Sequence, residues 1–150
     1  MKKIFIVFSI LLFLSYACAP VSSRLLLKNC RFYLADVALE RDGMTSLDLR
    51  VAIEISNPNP VQVILDRLAF DFFVNENHVF KGSIAEKTVV PPGESRTINT
   101  VVRVSLLKVG FAIYNAIKKE QANYRLKGRA FFDTKHGTIS IPVEIMRGQI

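Results

Sequence analysis

The sequence predicts an all-β domain of the sandwich class, and three observations support this prediction. Apolar and polar residues alternate along most of the chain beyond an N-terminal apolar run. Proline, glycine and asparagine interrupt the alternation at short intervals, as turns do between strands. Roughly 130 residues follow the apolar run, which suffices for one hydrophobic core but not for two. Antiparallel strands with one solvated face give this alternation, and their usual packed form is a sandwich of two sheets.

The strands can be placed from the alternation. In residues 46–56 every second residue is apolar, which is typical of a half-buried strand. Residues 68–75 alternate in the same way and pass through the turn Asn75-Glu76-Asn77 into a hairpin with residues 79–82. Three more segments alternate in this way: 98–104, 124–132 and 139–145. With the apolar stretch 25–34 taken as the first strand, they complete a predicted set of seven strands.

The period changes once along the chain. Apolar residues between the fifth and sixth predicted strands recur at spacings of three and four: Leu107, Phe111, Tyr114 and Ile117. This spacing predicts one short helix of about three turns between two strands. Lys118 and Lys119 close the segment, where cations favour the carboxyl end of a helix.

The N-terminus has the composition of an export signal. Lys2 and Lys3 precede the apolar run 4–14, and the small residue Ala17 follows closely. A positive region, an apolar region and a small residue in this order are typical of a secretory signal. A transmembrane helix needs about 20 apolar residues, so this run is too short to span a membrane. We therefore expect residues 1–17 to be a signal peptide and residues 18–150 to form the mature domain.

Cys18 indicates the kind of signal. The segment 14–18, Leu-Ser-Tyr-Ala-Cys, resembles the bacterial lipobox, in which a small residue precedes a cysteine that becomes lipidated. It departs from that pattern at Ser15, where leucine is usual, and at the bulky Tyr16. The resemblance implies that the lipid on Cys18 anchors the chain to a membrane of the cell envelope. Ala19 after it resembles outer-membrane sorting, on the periplasmic side, in diderm bacteria. Ordinary cleavage near this cysteine, which leaves a free thiol, is the alternative.

The second cysteine and the overall charge bound the possible partners. Cys30 falls in the predicted first strand, where we expect a small buried hydrophobe. A disulfide with Cys18 is the alternative if that residue is not acylated. Two cysteines and two histidines are too few for a metal site, so no metal is expected. The formal net charge of +7 is dispersed along the chain, and no nucleic acid partner is expected.

The sequence carries no recognisable catalytic motif. It lacks the glycine-flanked nucleophilic serine, the phosphate-cradling glycine loop and the zinc-binding helix of common enzyme classes. His78 and His136 both fall at predicted hairpin turns, where solvation is a simpler interpretation than general-base catalysis. We therefore expect no catalytic residue, no cofactor and no enzymatic activity.

One cluster of charge has a regular spacing. Arg125, Lys127 and Arg129, here called the basic row, occupy alternate positions of one predicted strand and so share one face. Such a row is commonly a solvated face that protects a sheet from pairing with another. The functional interpretation is a docking surface for anionic lipid headgroups or for an acidic envelope protein.

A compact motif ends the clearest strand. Asn57-Pro58-Asn59-Pro60 combines two residues that lack a backbone donor with two that bond readily to nearby backbone. Each proline also restricts the preceding residue to an extended conformation. The motif alone predicts a rigid exit from a sheet.

In its context the motif resembles the signature of the LEA type 2 (late embryogenesis abundant, or WHy domain) family. The resemblance extends to the hairpin at 74–77, the Pro-Pro-Gly loop at 90–95 and the Tyr-x-Leu-x-Gly segment at 124–128. It covers about residues 25–150 and implies a seven-stranded immunoglobulin-like or fibronectin III-like sandwich. It also implies a link to desiccation and other stress, without an active site. The expected function is stress protection by an envelope lipoprotein, and the alternative is a ligand-binding or interaction subunit of an envelope complex.

Overall fold

Two β-sheets and two helices make up the part of the chain that this computed structural model describes, residues 19–119 and 123–149. The elements follow in the order α1 (Ala19–Lys28), β1 (Arg31–Asp42), β2 (Ser46–Ser56), β3 (Val63–Val74), β4 (Asn77–Ile84), β5 (Thr88–Val90), β6 (Ser95–Ser105), α2 (Leu106–Lys119), β7 (Asn123–Thr134) and β8 (Gly137–Gln149). All strand pairs are antiparallel. The predicted all-β sandwich class is confirmed.

The sheets differ in size and are joined by three crossings of the chain. The smaller sheet has the order β1-β2-β6, and the larger has β4-β3-β7-β8 with the short β5 also paired to β3. Helix α2 carries the chain from β6 in the smaller sheet to β7 in the larger one.

The core lies between the inner faces of the two sheets. Val51, Ile53 and Ile55 of β2 are at most 1% exposed, as the alternation predicts. Phe70 and Phe132 of the larger sheet are equally buried in the same apolar cluster. Each sheet therefore buries one face, which explains the period of two along the strands.

The predicted first strand is wrong in its position. Residues 25–28 belong to α1, and the strand begins only at Arg31. The run Leu25-Leu26-Leu27 has no periodicity that separates helix from strand, and here Leu27 is the member buried against the core. The described part of the chain has eight strands rather than seven. The additional one is β5, which immediately precedes the prolines of the predicted loop.

The two predicted hairpins are confirmed. Asn75 and Glu76 join β3 to β4 with φ angles of 45° and 66°, values that suit a two-residue turn between twisted strands. Lys135 and His136 join β7 to β8, and the following Gly137 has a φ of 105°.

Helix α2 is confirmed, but its buried face differs from the predicted one. Val109 and Ala112 pack toward the core, whereas Leu107 is 83% and Phe111 is 60% exposed. The side chains of Tyr114 and Ile117 lie outside the described residues.

Irregular pairing occurs on both β1 and β8, which are edge strands. In β1 the register shifts between Leu34 and Asp36 and again between Leu39 and Arg41. In β8 one residue, Ile145, is skipped where β7 passes from Leu126 to Lys127.

The antiparallel strands give the sandwich two distinct ends. The motif end holds the loops 57–62 and 91–94 and the β7–β8 turn. The helix end holds α2, the β1–β2 loop and the β3–β4 turn. At the helix end the N–H of Leu106 donates to the carbonyl of Thr45, and the N–H of Asn75 donates to the carbonyl of Asn123.

Candidate functional site

The predicted lipidation site, Cys18, lies outside the described residues, but the chain that follows it is placed. Helix α1 begins at the next residue, Ala19, and runs to Lys28. Leu27 near its carboxyl end is buried in the core at the motif end. A ten-residue helix is about 15 Å long, so Cys18 is separated from the motif end by only that helix.

Asn57 lies at the centre of the family motif and is completely buried. Its Nδ2 donates to the carbonyl oxygens of Val61 at 2.9 Å, Val90 at 3.0 Å and Pro91 at 3.1 Å. Its Oδ1 accepts hydrogen bonds from the backbone N–H of Asn59 at 3.1 Å and from Nδ2 of Asn59 at 2.9 Å. One amide side chain thus supplies partners to carbonyls that strand pairing leaves open.

The backbone of Asn57 joins the same two loops. Its N–H donates to the carbonyl of Glu94 at 2.9 Å, and its carbonyl accepts from the N–H of Gly93 at 2.8 Å. Gly93 has a φ of 71°, which a glycine adopts without the steric cost of a Cβ atom. The Asn-Pro-Asn-Pro and Pro-Pro-Gly segments are therefore two halves of one hydrogen-bonded unit.

Asn59 extends this unit to the segment before β1. It is 3% exposed, and its Nδ2 also lies 3.6 Å from Sγ of Cys30. Its Oδ1 accepts from Nδ2 of Asn29 at 3.2 Å. Pro58, between the two asparagines, and Pro60, after them, are exposed to solvent, while both asparagines face inward. The prolines limit the conformations of the loop.

The motif is therefore a structural centre rather than a ligand site. No buried side-chain nitrogen or oxygen of the described residues lacks a hydrogen-bond partner. Because the amide groups of Asn57 and Asn59 are engaged with the chain itself, they are not available to a ligand. The sequence indicated a rigid turn here, and the structure adds the three segments that the motif holds together.

Cys30 precedes β1 and is a buried hydrophobe, as predicted, although not within a strand. Burial raises the pKa of its thiol to about 11, and the hydrogen bond from Asn59 opposes this only in part. A neutral thiol at physiological pH is a poor nucleophile. Cys30 is therefore structural.

The basic row lies on the outer face of β7, but its members differ in their surroundings. Lys127 and Arg129 are exposed, and Arg125 is half-buried. Nζ of Lys127 lies 4.7 Å from the ring centre of Phe73. Arg129 donates to Oγ of Ser140 at 3.4 Å. The docking role of the row remains a prediction, and the row is not a uniform strip of free cations.

The members of the basic row differ in the charge of the residues opposite them. Lys127 is paired in register with Asp71 of β3 and with Glu144 of β8. Asp71 is itself bound by Nε2 of His78 at 2.9 Å. Arg125, in contrast, has Arg147 directly across on β8. Arg147 could not be predicted as part of this face from the sequence, because regular alternation along β8 places it on the inner face.

A metal-binding cluster and a membrane-spanning helix are both absent from the part of the chain described here. No three His, Cys, Asp or Glu side chains cluster in a way that could hold a metal ion. Among the same residues, no helix has the length and apolarity needed to cross a membrane.

The comparison with known sequences identifies a family. The model of the family described as late embryogenesis abundant protein matches residues 52–146. The chain is also 22% identical, over 94 residues, to an uncharacterised protein of Methanocaldococcus jannaschii. That alignment covers 63% of this chain and 22% of the relative, so the chain spans less than a quarter of the relative's length.

Solved structures share the fold. A protein of Arabidopsis thaliana, solved in solution, superposes with a TM-score of 0.63 at 18% identity, and 79% of each chain is covered. The crystal structure of a protein from Archaeoglobus fulgidus gives a TM-score of 0.58 at 10% identity, over 77% of this chain and 92% of that one. At these identities the likeness concerns the fold alone.

The family match begins within β2 and ends within β8, so it includes both the asparagine-proline motif and the basic row. It covers more than half of the chain and agrees with the resemblance seen in the sequence. The chain belongs to the late embryogenesis abundant protein family, LEA type 2.

Proposed function

We propose that this chain is a non-enzymatic lipoprotein that protects the cell envelope during desiccation and related stress. In this proposal residues 1–17 are the signal peptide, Cys18 carries the lipid, and residues 18–150 form the mature domain. One observation carries the proposal: α1 begins directly after Cys18 and buries Leu27 at the motif end. A lipid on Cys18 would hold that end near a bilayer. Each CH₂ group of the lipid that is buried in the bilayer contributes about 0.8 kcal/mol to the free energy of membrane binding.

The interior supports a role without catalysis. The core is apolar, and the two buried polar side chains of the described residues, Asn57 and Asn59, are engaged within the chain. The sheet order supports the finer assignment to an immunoglobulin-like or fibronectin III-like sandwich. Localisation to the periplasmic side of an outer membrane is part of the proposal for a diderm host.

Membrane fractionation tests the anchor. We expect Cys18→Ser to move the chain from the membrane to the soluble fraction. Cys30→Ser is the matched control, because the sequence has two cysteines and this one is buried away from the signal. Retention of the Cys18→Ser chain in the membrane fraction would refute the anchor.

Survival after drying tests the protective role separately. A deletion strain should survive drying less well than its parent, and the wild-type gene should restore survival. If the Cys18→Ser gene restores survival equally, protection does not need the anchor. Unchanged survival of the deletion strain would exclude stress protection as the role.

A second candidate function is that of an accessory subunit in an envelope complex. The observation that favours it is the apolar surface at the helix end, where Leu107, Phe111 and Met44 are 83%, 60% and 99% exposed. Met44 lies in the loop whose Thr45 carbonyl binds the N–H of Leu106, so these side chains belong to one region. Large exposed apolar residues in one region are typical of protein interfaces. Cross-linking at residue 111 in intact cells tests this function. The function requires that one partner is cross-linked reproducibly and that this partner is lost in the Leu107→Ser variant.

A further inference from the structure

A groove of about 600 Å³ opens at the helix end, next to the β3–β4 turn and the paired ends of β7 and β8. Its lining residues include three cations and two aromatic residues, Arg125, Lys127, Arg147, Phe73 and Tyr124, of which Phe73 shares the outer face of the sheet with the cations. Glu76, in the turn, is the one carboxylate among the lining residues that the structure describes. The groove thus combines positive charge with an aromatic ring on one face.

The two arginines form an unbalanced pair. Arg125 and Arg147 are direct partners in the β7–β8 register, and like charges placed opposite each other destabilise a sheet. Neither forms an ion pair with a carboxylate in residues 19–119 or 123–149. An anion between the two guanidinium groups would remove this repulsion.

Several carboxylates elsewhere on the described surface are paired with cations. Arg103 binds both oxygens of Asp48 at 2.8 and 3.0 Å, and this holds the pKa of that carboxyl below its usual range. Lys87 and Arg96 are paired in the same way with Asp133 and Glu94. Among the register pairs of the described strands, two residues of like charge face each other only at Arg125 and Arg147.

A β-bulge creates the pair. From the β7–β8 turn to Lys127 the strands pair without a break, and continued pairing would set Arg125 opposite Met146. The skipped residue Ile145 moves the register by one, which turns the side chain of Arg147 onto the face that Arg125 occupies. Bulges next to binding sites commonly redirect a side chain in this way.

The ring of Phe73 lies on the cationic face of the groove. This ring packs against Nζ of Lys127, so one side of that ammonium group contacts an apolar surface. Tyr124 pairs in register with Gly148, and a Cβ atom at that glycine would overlap the tyrosine hydroxyl. The tyrosine ring therefore lies over β8 on the inner face of the sheet, whereas Phe73 and the two arginines occupy the outer face.

We propose that this groove binds a phosphate ester. The guanidinium groups of Arg125 and Arg147 hold the phosphate oxygens, and the organic part of the ligand lies against Phe73. Guanidinium groups match phosphate because their planar forks donate two parallel hydrogen bonds. Two arginines and a lysine suit the charge of nearly −2 on a phosphate monoester better than that of a single carboxylate. The site does not depend on acylation of Cys18.

Titration of the full-length chain with phenyl phosphate, in micelles of a neutral detergent, tests the site. Backbone amide NMR signals of Tyr124, Arg147 and Gly148 should shift in a saturable way. Inorganic phosphate should shift the same signals with weaker affinity, because it leaves the ring of Phe73 uncovered. Wild-type protein whose groove signals do not respond to millimolar phenyl phosphate would overturn the proposal.

Two charge reversals of equal size separate a site from general attraction. Arg147→Glu should weaken phenyl phosphate binding by about 10- to 100-fold, the value of one or two charge-assisted hydrogen bonds. Arg129→Glu makes the same change of charge on the same sheet face, outside the groove, and should weaken binding by less than about threefold because salt screens it. Equal losses in the two variants would mean that only the overall charge matters.

Two further measurements exclude unfolding of the variant and locate the organic part of the ligand. Arg147→Glu should melt no lower than wild type, since it removes a like-charge contact; if it unfolds, Arg147→Gln replaces it in the titration. Phe73→Leu should weaken phenyl phosphate more than inorganic phosphate. An equal effect on both would contradict the assigned position of the organic part.

The source of the phosphate is resolved by the form in which it is offered. Micelles containing phosphatidic acid present a lipid-borne monoester, and glycerol 3-phosphate presents a soluble one. Stronger binding to the micelles assigns a headgroup ligand, and stronger binding to glycerol 3-phosphate assigns a soluble ester. Failure of both, with phenyl phosphate binding intact, would overturn the claim that phosphate is the recognised group.

Discussion

The two ends of the sandwich treat their polar groups in opposite ways. At the motif end, Asn57 and Asn59 are buried and fully bonded to three segments of the chain. At the helix end, Arg125 and Arg147 face each other across two strands without a carboxylate partner in the described residues. The same two sheets support both ends, so the difference arises from a few side chains.

This difference separates stability from recognition. Hydrogen bonds satisfied inside the chain stabilise the fold and leave nothing for a ligand, whereas unmatched charge costs stability and favours an external anion. The residues that identify the family are therefore the ones that maintain the fold. The residues of the proposed phosphate groove lie at the other end, so the two sets can be altered independently.

The largest expected effect is at the motif end. Asn57→Ala removes the donor shared by the carbonyls of Val61, Val90 and Pro91 and should lower the free energy of unfolding by about 3–5 kcal/mol, because buried polar groups lose their partners. Urea unfolding measures this. Asn99→Ala, at an exposed position of β6, should cost less than about 0.5 kcal/mol. Similar costs for the two would contradict a structural role for the motif.

The core between the ends gives the reference for these values. Ile53 is 0% exposed in the middle of β2, and Ile53→Ala should cost about 2–4 kcal/mol through lost burial and a cavity. Glu54→Ala, one position along on the opposite face, should cost less than about 0.5 kcal/mol. The same urea unfolding experiment compares them, and equal costs would show that the strand register is wrong.

Cys30 reports whether the motif end stays closed. In a Cys18→Ser background, its reaction with iodoacetamide at pH 8 should be about 100-fold slower in the native chain than in urea, because burial raises the thiol pKa from 9.0 to about 11. The contribution of the buried neutral thiol to the free energy of unfolding is fully present below pH 9.0 and is lost as the pH rises toward about 11. Asn57→Ala should remove much of the native-state protection, and rapid alkylation of the native wild-type chain would mean that the end opens readily.

The smallest effect, of opposite sign, belongs to the helix end. Arg147→Glu replaces a like-charge pair by an opposite-charge pair across β7 and β8 and should raise the free energy of unfolding by about 0.2–1 kcal/mol. Arg129→Glu, opposite Pro142, should leave it within about 0.5 kcal/mol. Thermal unfolding at low salt compares them. A loss of stability in Arg147→Glu would mean that this arginine has a stabilising contact, and the contrast between the ends would fail.

The main strands could be predicted because their signal is local. The bounds predicted for β2 are those observed, since five apolar residues alternate there and face one core. The first helix could not be predicted in this way. Leu25, Leu26 and Leu27 are consecutive, and only the neighbouring core decides that Leu27 is buried while Leu25 stays 59% exposed.

The candidate sites show the same limit. The asparagine-proline motif indicated a turn, but its partners at Val90 and Cys30 are more than 25 residues distant in sequence, which no local pattern contains. The basic row followed from alternation within one strand. Arg147 did not, because the bulge at Ile145 leaves no mark in the sequence and reverses the face of the residues after it.

The irregular edges of the two sheets have a consequence when water is lost. Drying concentrates folded proteins until their free strand edges can meet, and a straight edge then becomes a template for intermolecular pairing. On β1 the two register shifts interrupt the row of free amides and carbonyls, and on β8 Pro142 supplies no amide donor just before the bulge. The other edge of the smaller sheet, β6, pairs with β2 without a register shift and has no such interruption. Intermolecular pairing at high concentration is therefore disfavoured along β1 and β8 in particular, which offer no long uninterrupted row to a second copy.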